Sequence, residues 1–330
     1  MNINLSFQLL KRVFIFFTLI GLVTACESIQ AQQITARQSQ VIFGASDGEL
    51  TEQGSVRTYY IYTPKSYSSS RPMPLVLVFH GDDGSGHSIS NVSGFNELAE
   101  QKGFIVVYPD GIDHTWSLRK KGKRKIDDIS FVKNLINHLQ QVRNIDKRKI
   151  YATGFSKGGI LTQALTCQLS DQIAAFASVA GSLPMRLQQT CQPLLPVSML
   201  MINGTNDQSV HYQGDEKTQK GALISIPEVV NFWRDHNQCP TSYAANDVAF
   251  ALDNAGSSDR VKTYSYSGCS AGSEVLELAV VNGGHLWYGG TSNDKNINKF
   301  NKNLGLDSTQ MIWNFFERHT LPPVPSKSIS

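Results

Sequence analysis

The segment Gly-Phe-Ser-Lys-Gly at residues 154–158 has the residue types and spacing that can make a serine nucleophilic. It lies between a β-branched run, Ile150–Thr153, and a segment of helical period, Gly158–Leu169. A serine in such a strand–turn–helix elbow leaves no room for side chains two residues before or after it, hence the two glycines. The turn would place Ser156 at a helix N-terminus, where the backbone N–H of Lys157 can donate to a developing oxyanion.

A nucleophilic serine also needs a base to take its proton and an acid to orient that base. Asp207 follows the apolar run Val197–Ile202, and His285 follows the run Val275–Val281. Both therefore lie just past predicted strand ends, in the order serine, acid, histidine. We predict Asp207 as the acid and His285 as the base; the alternatives are a turn aspartate and a loop histidine.

The second oxyanion donor is expected in the segment His-Gly-Asp-Asp-Gly-Ser-Gly at residues 80–86, which follows the buried run Leu75–Phe79. A glycine-rich turn at a strand end lets a backbone N–H point at the site, and Gly81 and Asp82 are the candidates. His80 is expected to hold this loop, with a catalytic role as the alternative. The acidic pair that follows Gly81 could disfavour anionic substrates, or it could be a solvated loop.

Short β-branched runs alternate with helix-period segments along the chain. The predicted strands are Tyr59–Tyr62, Leu75–Phe79, Phe104–Tyr108, Ile150–Thr153, Phe176–Val179, Val197–Ile202 and Val275–Val281, and the predicted helices are Ile129–Val142, Gly158–Leu169 and Thr309–Arg318. Such alternation predicts an α/β fold, with a mostly parallel central sheet, helices on both of its faces and a single domain. Asp127 and Asp128 are placed to cap the first predicted helix.

The N-terminus is typical of an exported protein. Lys11 and Arg12 precede a short apolar run, Val13–Val23, and the sequence Val-Thr-Ala-Cys at 23–26 resembles a bacterial lipobox. This predicts cleavage before Cys26, acylation of its sulfur and an extracytoplasmic, membrane-anchored lipoprotein in the outer membrane and periplasm or at the cell surface. The alternatives are an ordinary signal peptide or an uncleaved anchor. The predicted boundaries are a signal peptide over 1–25, a tether over 26–45, a catalytic domain over 46–320 and a flexible tail over 321–330.

Composition excludes several function classes. Hydrophobic residues make up 41% of the chain and charged residues 17%, which describes a globular protein. Without Lys11 and Arg12 the formal charge of +3 falls to +1, so nothing favours a nucleic-acid partner. Processing at Cys26 leaves four cysteines in an oxidising compartment: Cys167, Cys191, Cys239 and Cys269. They can pair in three ways, and no CxxC spacing indicates a metal site, so we expect structural disulfides and no metal.

Two further features have both a functional and a structural interpretation. The run Arg119–Lys125 concentrates basic residues that could attract an anionic polymer or lipid, or simply be a solvated loop. Trp287, two residues beyond His285, could stack on a sugar or aryl acyl group, and Trp116 could join it. Packing of the loops is the alternative for both indoles. Trp233 and Trp313 lie on helical segments and are predicted to be in the core.

Several motifs, in order, resemble those of the poly(3-hydroxybutyrate) depolymerase and feruloyl esterase-like group of secreted α/β-hydrolases. They are HGDDGSG, YPDG (108–111), DDISFV (127–132), GFSKGG, NGTND (203–207) and NGGHLW (282–287), within a match over about residues 57–316. The resemblance implies the α/β-hydrolase fold, cofactor-free ester hydrolysis by Ser156, Asp207 and His285, and a bridge between Cys239 and Cys269. The loop after YPDG departs from the group's usual pattern, so substrate contacts are not carried over from it.

The function expected from the sequence is therefore that of an exported, lipid-anchored serine esterase. Its substrates would be carboxylic esters of an extracellular polymer, such as polyhydroxybutyrate-like, feruloyl or acetyl esters. The alternative is a surface binding lipoprotein that keeps the fold and has lost catalysis.

Overall fold

Nine strands in the described part of the chain form one sheet with a parallel centre. The computed structural model describes residues 41–52, 54–118, 127–215, 222–241, 261–291 and 305–323. The strands are β1 (Gly44–Glu52), β2 (Ser55–Thr63), β3 (Met73–Phe79), β4 (Ile105–Pro109), β5 (Ile145–Phe155), β6 (Ala175–Val179), β7 (Met199–Gly204), β8 (Val261–Tyr266) and β9 (Val275–Val280). They lie in the order β1-β2-β4-β3-β5-β6-β7-β9-β8.

The six inner strands, from β4 to β9, are parallel to one another, and antiparallel strands flank them on both sides. Each predicted strand is confirmed, with boundaries that shift by a few residues. The two outermost strands, β1 and β8, were not predicted. No residue of β1 is fully buried, so the strand has no apolar face to mark it in the sequence.

Helices connect the strands and cover the sheet. They are α1 (Gly86–Ser93), α2 (Phe95–Lys102), α3 (Asp128–Val142), α4 (Lys157–Leu169), α5 (Met185–Gln188), α6 (Ile226–His236) and α7 (Ser308–Phe316). The three predicted helices correspond to α3, α4 and α7. Asp127 is the N-cap of α3, and its side chain accepts a hydrogen bond from the backbone N–H of Ser130 at 3.2 Å.

The sheet has a buried layer on each face. On one face, side chains at alternate positions pack with residues of α1, α2 and α7, as in the stack of Phe104 on Trp313. The intervening positions, such as Leu75 and Phe176, point to the opposite face and are equally buried. Trp233 and Trp313 are buried as predicted. The fold class predicted from the sequence is confirmed.

Two disulfides link helices to later segments of the chain. Cys167 in α4 is bonded to Cys191, and Cys239, after α6, is bonded to Cys269 before β9. The structure therefore has the sequence-local pairing among the three possible ones. Each bridge closes a short stretch, with sequence separations of 24 and 30 residues.

Both ends of the described chain extend slightly beyond the predicted limits of the catalytic domain. Residues from Phe43 onward belong to one compact unit, and β1 begins at Gly44, inside the segment predicted as tether. At the other end, the N–H of Leu321 donates to the carbonyl of Arg148 at 3.0 Å, so the predicted tail begins with a bonded residue. The predicted signal peptide, Cys26, the run Arg119–Lys125 and residues 324–330 lie outside the described residues. Within the described ranges, no helix combines the length and apolarity needed to cross a membrane.

Candidate active site

Ser156 lies where β5 ends and α4 begins. Its backbone has φ 55° and ψ −115°, a region that costs of the order of 1–3 kcal/mol for a residue with a side chain. The backbone N–H of Ser156 donates to the carbonyl of Val179 on β6, and its carbonyl accepts from Ile160, which holds the turn. The residue is 4% exposed. A strained backbone fixed from both sides is the elbow that the sequence predicts.

The glycines flanking Ser156 are required by contact with neighbouring backbone. A Cβ at Gly154 would lie 2.4 Å from the carbonyl oxygen of Gly158. A Cβ at Gly158 would lie 2.3 Å from the carbonyl oxygen of Phe79 and 2.6 Å from that of His80. These distances are shorter than real Cβ contacts, so the elbow packs directly against the end of β3. The steric need inferred from the sequence is therefore present in the structure.

Asp207 and His285 meet at the carboxyl ends of β7 and β9. The Nδ1–H of His285 donates to Oδ2 of Asp207 at 2.7 Å. The Asp207 side chain is almost fully buried, whereas that of His285 is 22% exposed. The His285 ring also lies 4.9 Å from the ring of Phe155, the residue before Ser156. Because Nδ1 is bonded to the carboxylate, Nε2 is the nitrogen left to exchange a proton.

The loops that carry the acid and the histidine are bonded to each other. The N–H of Asn206 donates to the carbonyl of Gly283 at 2.9 Å, and the N–H of Asn282 donates to the Thr205 hydroxyl at 2.8 Å. A Cβ at Gly204 would lie 2.3 Å from the Gly283 carbonyl oxygen, so glycine permits this close approach. These contacts fix the distance between the two functional side chains before any substrate binds.

The carboxyl of Asp207 remains an anion despite its burial. Burial alone would raise its pKa, but hydrogen bonds and the charge of His285 outweigh this effect and lower the pKa below its usual value. Its other oxygen, Oδ1, accepts from the backbone N–H groups of Ser209 and Val210 at 2.7 and 2.9 Å. A buried carboxylate with three donors is suited to orienting an imidazole and stabilising its protonated form.

A second histidine–aspartate pair lies on the loop that follows Asp207. His211 Nδ1 contacts Oδ1 of Asp215, and the His211 side chain is 48% exposed. Neither His211 nor Asp215 directly follows a strand end, which distinguishes this pair from Asp207 and His285. His319 is buried and bonded to the carbonyl of Phe315, and His236 lies at the end of α6.

The loop after β3 lies beside the elbow. A Cβ at Gly81 would lie 3.3 Å from the Cβ of Ser156, so this glycine faces the serine directly. The N–H of Gly84 donates to the Gly81 carbonyl at 3.2 Å and closes a turn in which Asp83 has φ 58°. Lys157 is the first residue of α4. Of the predicted donor segments, Gly81 thus lies against Ser156 and Lys157 follows it directly at the start of α4.

His80 lies beneath this loop in a buried and neutral state. Burial lowers its pKa, and the hydrogen bond to the Gly81 carbonyl opposes that effect only in part. The Nδ1–H donates to that carbonyl at 2.7 Å, while Nε2 accepts from the backbone N–H of Gly111 at 2.9 Å. The expectation that His80 holds the loop agrees with these contacts.

The two tryptophans predicted as possible substrate contacts are in the protein interior. Trp116 is 2% exposed, and its Nε1–H donates to the His80 carbonyl at 2.8 Å. Trp287 is 4% exposed, and its Nε1–H donates to the Thr309 hydroxyl at 2.9 Å. Since neither ring has a free face for a ligand, the prediction of substrate stacking is corrected to packing of the loops.

A buried ion pair that was not predicted from the sequence is bonded to the segment that contacts the loop after β3. Arg57 on β2 and Asp128 at the start of α3 are joined by a 2.7 Å hydrogen bond, and both are almost fully buried. The second oxygen of Asp128 accepts from the backbone N–H of Ser117, the neighbour of Trp116, at 2.5 Å. The motif DDISFV contained the only indication of this pair, since its second aspartate is not needed for the helix cap.

Among the described residues, no group of three or more histidine, cysteine, aspartate or glutamate side chains is arranged to hold a metal ion. Another buried acid, Glu277 on β9, is bonded to the hydroxyl of Tyr212.

The chain is similar to known esterases. The phospholipase/carboxylesterase family matches residues 112–243. A bifunctional acetylxylan esterase/xylanase of Neocallimastix patriciarum is 28% identical over 236 residues, which are 71% of this chain and 31% of that protein. Feruloyl esterase B of Piromyces equi is 27% identical over 239 residues, 69% of this chain and 42% of that protein. The chain thus spans less than half the length of these two relatives.

The solved structure of an acetyl xylan esterase from Aspergillus awamori superposes with a TM-score of 0.55 at 18% identity, and it covers 77% of this chain and 98% of its own. At that identity the superposition shows the fold alone. The sheet and the helices that cover it form an α/β-hydrolase-like fold. The family match and the sequence relatives support a feruloyl esterase-like α/β-hydrolase family for this chain.

Proposed function

We propose that the protein is a serine carboxylesterase in which Ser156 is the nucleophile, His285 the base and Asp207 the orienting acid. The observation that carries the proposal is the 2.7 Å bond between His285 and the buried Asp207, next to a strained serine elbow. The backbone N–H groups of Lys157 and of the loop after β3 would bind the oxyanion. No cofactor is needed for this reaction.

The reaction follows from the roles of these groups. Ser156 Oγ attacks the ester carbonyl carbon while Nε2 of His285 takes the serine proton, and the carbonyl oxygen becomes an oxyanion. Collapse of this intermediate breaks the carbon–oxygen bond of the ester, and His285 gives its proton to the departing alcohol. A water then attacks the acyl-serine with His285 again as base, which releases the acid and restores Ser156.

We propose as substrates the carboxylic esters of an extracellular polymer, in the range of feruloyl, acetyl and polyhydroxybutyrate-like esters. The names of the relatives, acetylxylan esterase and feruloyl esterase, support an acyl group attached to a polysaccharide. Export and anchoring through acylated Cys26 belong to the same proposal. Two disulfides are consistent with an oxidising compartment.

The test is hydrolysis of a panel of p-nitrophenyl and methyl esters, from acetate through 3-hydroxybutyrate oligomers to ferulate, by purified residues 27–330. Ser156→Ala should lose about 10³-fold or more in kcat, because only oxyanion binding would remain. His211→Asn is the matched control for His285→Asn, since both histidines pair with an aspartate. The control should keep activity within about twofold, and the preferred acyl group would identify the substrate class.

Labelling with a fluorophosphonate probe separates the enzyme from an inactive binding lipoprotein. A nucleophilic Ser156 should be labelled, and labelling should be lost in Ser156→Ala and His285→Asn. An unlabelled protein without activity on any ester would contradict the esterase proposal and favour the binding protein.

The anchor has its own test. Mass spectrometry of the protein from membranes should find a diacylglyceryl group on Cys26, and Cys26→Ser should release the protein from the membrane fraction. An unmodified Cys26 would contradict the lipoprotein proposal.

A further inference from the structure

The carbonyl groups of two successive residues in the loop after β3 are each held by a side chain. The His80 carbonyl accepts from Nε1–H of Trp116 at 2.8 Å, and the Gly81 carbonyl accepts from Nδ1–H of His80 at 2.7 Å. In a trans peptide the N–H points away from the carbonyl of the same peptide. Holding the Gly81 carbonyl therefore also sets the direction of the N–H of Asp82.

The N–H of Asp82 is available for a ligand. Within the part of the chain that the structure describes, it donates to no other residue. A Cβ built on Gly81 would lie 3.3 Å from the Cβ of Ser156, so the peptide that joins Gly81 to Asp82 begins at a residue facing the serine. The Asp82 carboxylate accepts a hydrogen bond from the Thr115 hydroxyl.

The imidazole of His80 can donate to Gly81 only in one tautomer, and a second contact selects it. Gly111 N–H donates to Nε2 at 2.9 Å, so the proton must be on Nδ1. Gly111 ends the YPDG motif, to which the proposed mechanism assigns no role. The preceding Asp110 accepts from Gly86 N–H and from the Thr58 hydroxyl, both at 2.7 Å, so the motif is fixed on the protein core.

We propose that His80 is a positioning residue that orients the Gly81–Asp82 peptide, so that the N–H of Asp82 is the second oxyanion donor beside Lys157. The YPDG motif serves this purpose by fixing the tautomer of His80 through Gly111. This inference rests on the proposed esterase function. It predicts that a loss of the His80 donor rotates the Gly81–Asp82 peptide while the loop stays folded.

Two substitutions of His80 each preserve one of its two hydrogen bonds and remove the other. The amide nitrogen of Asn can take the place of Nδ1 and keep the donor to Gly81, whereas the amide of Gln reaches the place of Nε2 and keeps only the contact with Gly111. We expect His80→Gln to lower kcat for p-nitrophenyl acetate by about 100-fold with KM changed less than about threefold, as for loss of one oxyanion donor. His80→Asn should stay within about tenfold of the wild type.

His114→Gln is the matched control. His114 is an exposed histidine whose Nδ1 also bonds a carbonyl of this loop, that of Gly84 at 3.1 Å. Its kcat should stay within about twofold. Thermal unfolding identifies variants that fail to fold, and a crystal structure of each folded variant shows the orientation of the Gly81–Asp82 peptide.

A rotated Gly81–Asp82 peptide in His80→Gln would support the inference, provided that kcat decreases from the wild type to His80→Asn and further to His80→Gln. An unrotated peptide, or a Gln variant at least as active as the Asn variant, would overturn it. If the wild type hydrolyses no ester, the proposed function fails. The nitrogen NMR shifts of His80 then still decide the positioning role, because a proton on Nε2 in the wild type would exclude the donor to Gly81.

Discussion

At the scale of single residues, the two histidine–aspartate pairs on neighbouring loops differ in burial. The side chains of His285 and Asp207 are 22% and 1% exposed, whereas those of His211 and Asp215 are 48% and 9% exposed. A charge pair gains far more in a site shielded from water than at the surface. This difference in burial, more than the identity of the residues, supports the Asp207–His285 pair as the proposed catalytic pair.

Replacing Asp207 by Asn should therefore lower kcat by about 10³–10⁴-fold, because an amide cannot stabilise the imidazolium of His285 and favours the wrong tautomer. Asp215→Asn is the matched control and should leave kcat within about twofold. Ester hydrolysis and fluorophosphonate labelling of both variants provide the measurement. Equal losses in the two variants would contradict the assignment of Asp207.

Gly158 is a residue whose missing side chain allows the site to assemble. A Cβ there would meet the carbonyl oxygens of Phe79 and His80, so Gly158→Ala must displace the end of β3 and with it the oxyanion loop. We expect a loss of about 1–3 kcal/mol in the free energy of unfolding. The loss in kcat, expressed as an activation free energy, should be larger than this.

Gly284→Ala provides the comparison for Gly158→Ala. A Cβ at Gly284 would meet no atom within 4 Å, so the free energy of unfolding should change by less than about 0.5 kcal/mol. Urea unfolding and ester hydrolysis of the two variants test the steric argument. A Gly158→Ala protein as stable and active as the Gly284→Ala protein would contradict it.

At the scale of elements, strand β9 carries a buried acid, Glu277, and leads into the loop that contains His285. Glu277 is 2% exposed, and burial raises its pKa from 4.5 to about 7, against the hydrogen bond from Tyr212. The folded protein thus keeps a proton that the unfolded chain gives up above pH 4.5. Stability should fall as the pH rises from 4.5 to about 7, by roughly 3 kcal/mol at 1.4 kcal/mol per pH unit.

Glu277→Gln should remove this dependence. The amide keeps an acceptor for Tyr212 and has no charge to bury, so the variant should be more stable than the wild type at pH 8 and similar to it at pH 4.5. Urea unfolding at several pH values measures the difference. A wild-type stability that does not fall between pH 4.5 and 7 would contradict the raised pKa.

At the scale of the whole molecule, the sequence predicts the parallel centre of the sheet and misses its edges. The inner strands are runs of buried apolar residues, such as β3 and β6, and they are identifiable because both faces are covered. The edge strand β1 alternates between exposed and half-buried residues, so its pairing with β2 leaves no mark in hydrophobicity. Helices α1 and α2 were missed because they are short and largely polar.

The candidate site also has one part that the sequence predicts and one part that it does not. Ser156, Asp207 and His285 could be located because each follows a recognisable strand. The contacts that hold the loop after β3 could not be predicted, because they join residues distant in sequence. Arg57 and Asp128 are 71 residues apart in sequence and come together only in the folded chain. The burial of Trp116 and Trp287 was likewise invisible in a pattern that fits both a ligand contact and loop packing.

The two disulfides act on the whole molecule through its unfolded state, because each cross-link restricts the unfolded chain. With sequence separations of 24 and 30 residues, each should contribute about 3 kcal/mol to the free energy of unfolding. The double variants Cys167→Ala/Cys191→Ala and Cys239→Ala/Cys269→Ala should each lose about that amount in urea unfolding. Both should keep wild-type kcat at 25 °C, because neither bridge touches Ser156, Asp207 or His285. Dithiothreitol should destabilise the wild type and leave the protein that lacks both bridges unchanged, and a wild type indifferent to reduction would contradict a structural role for them.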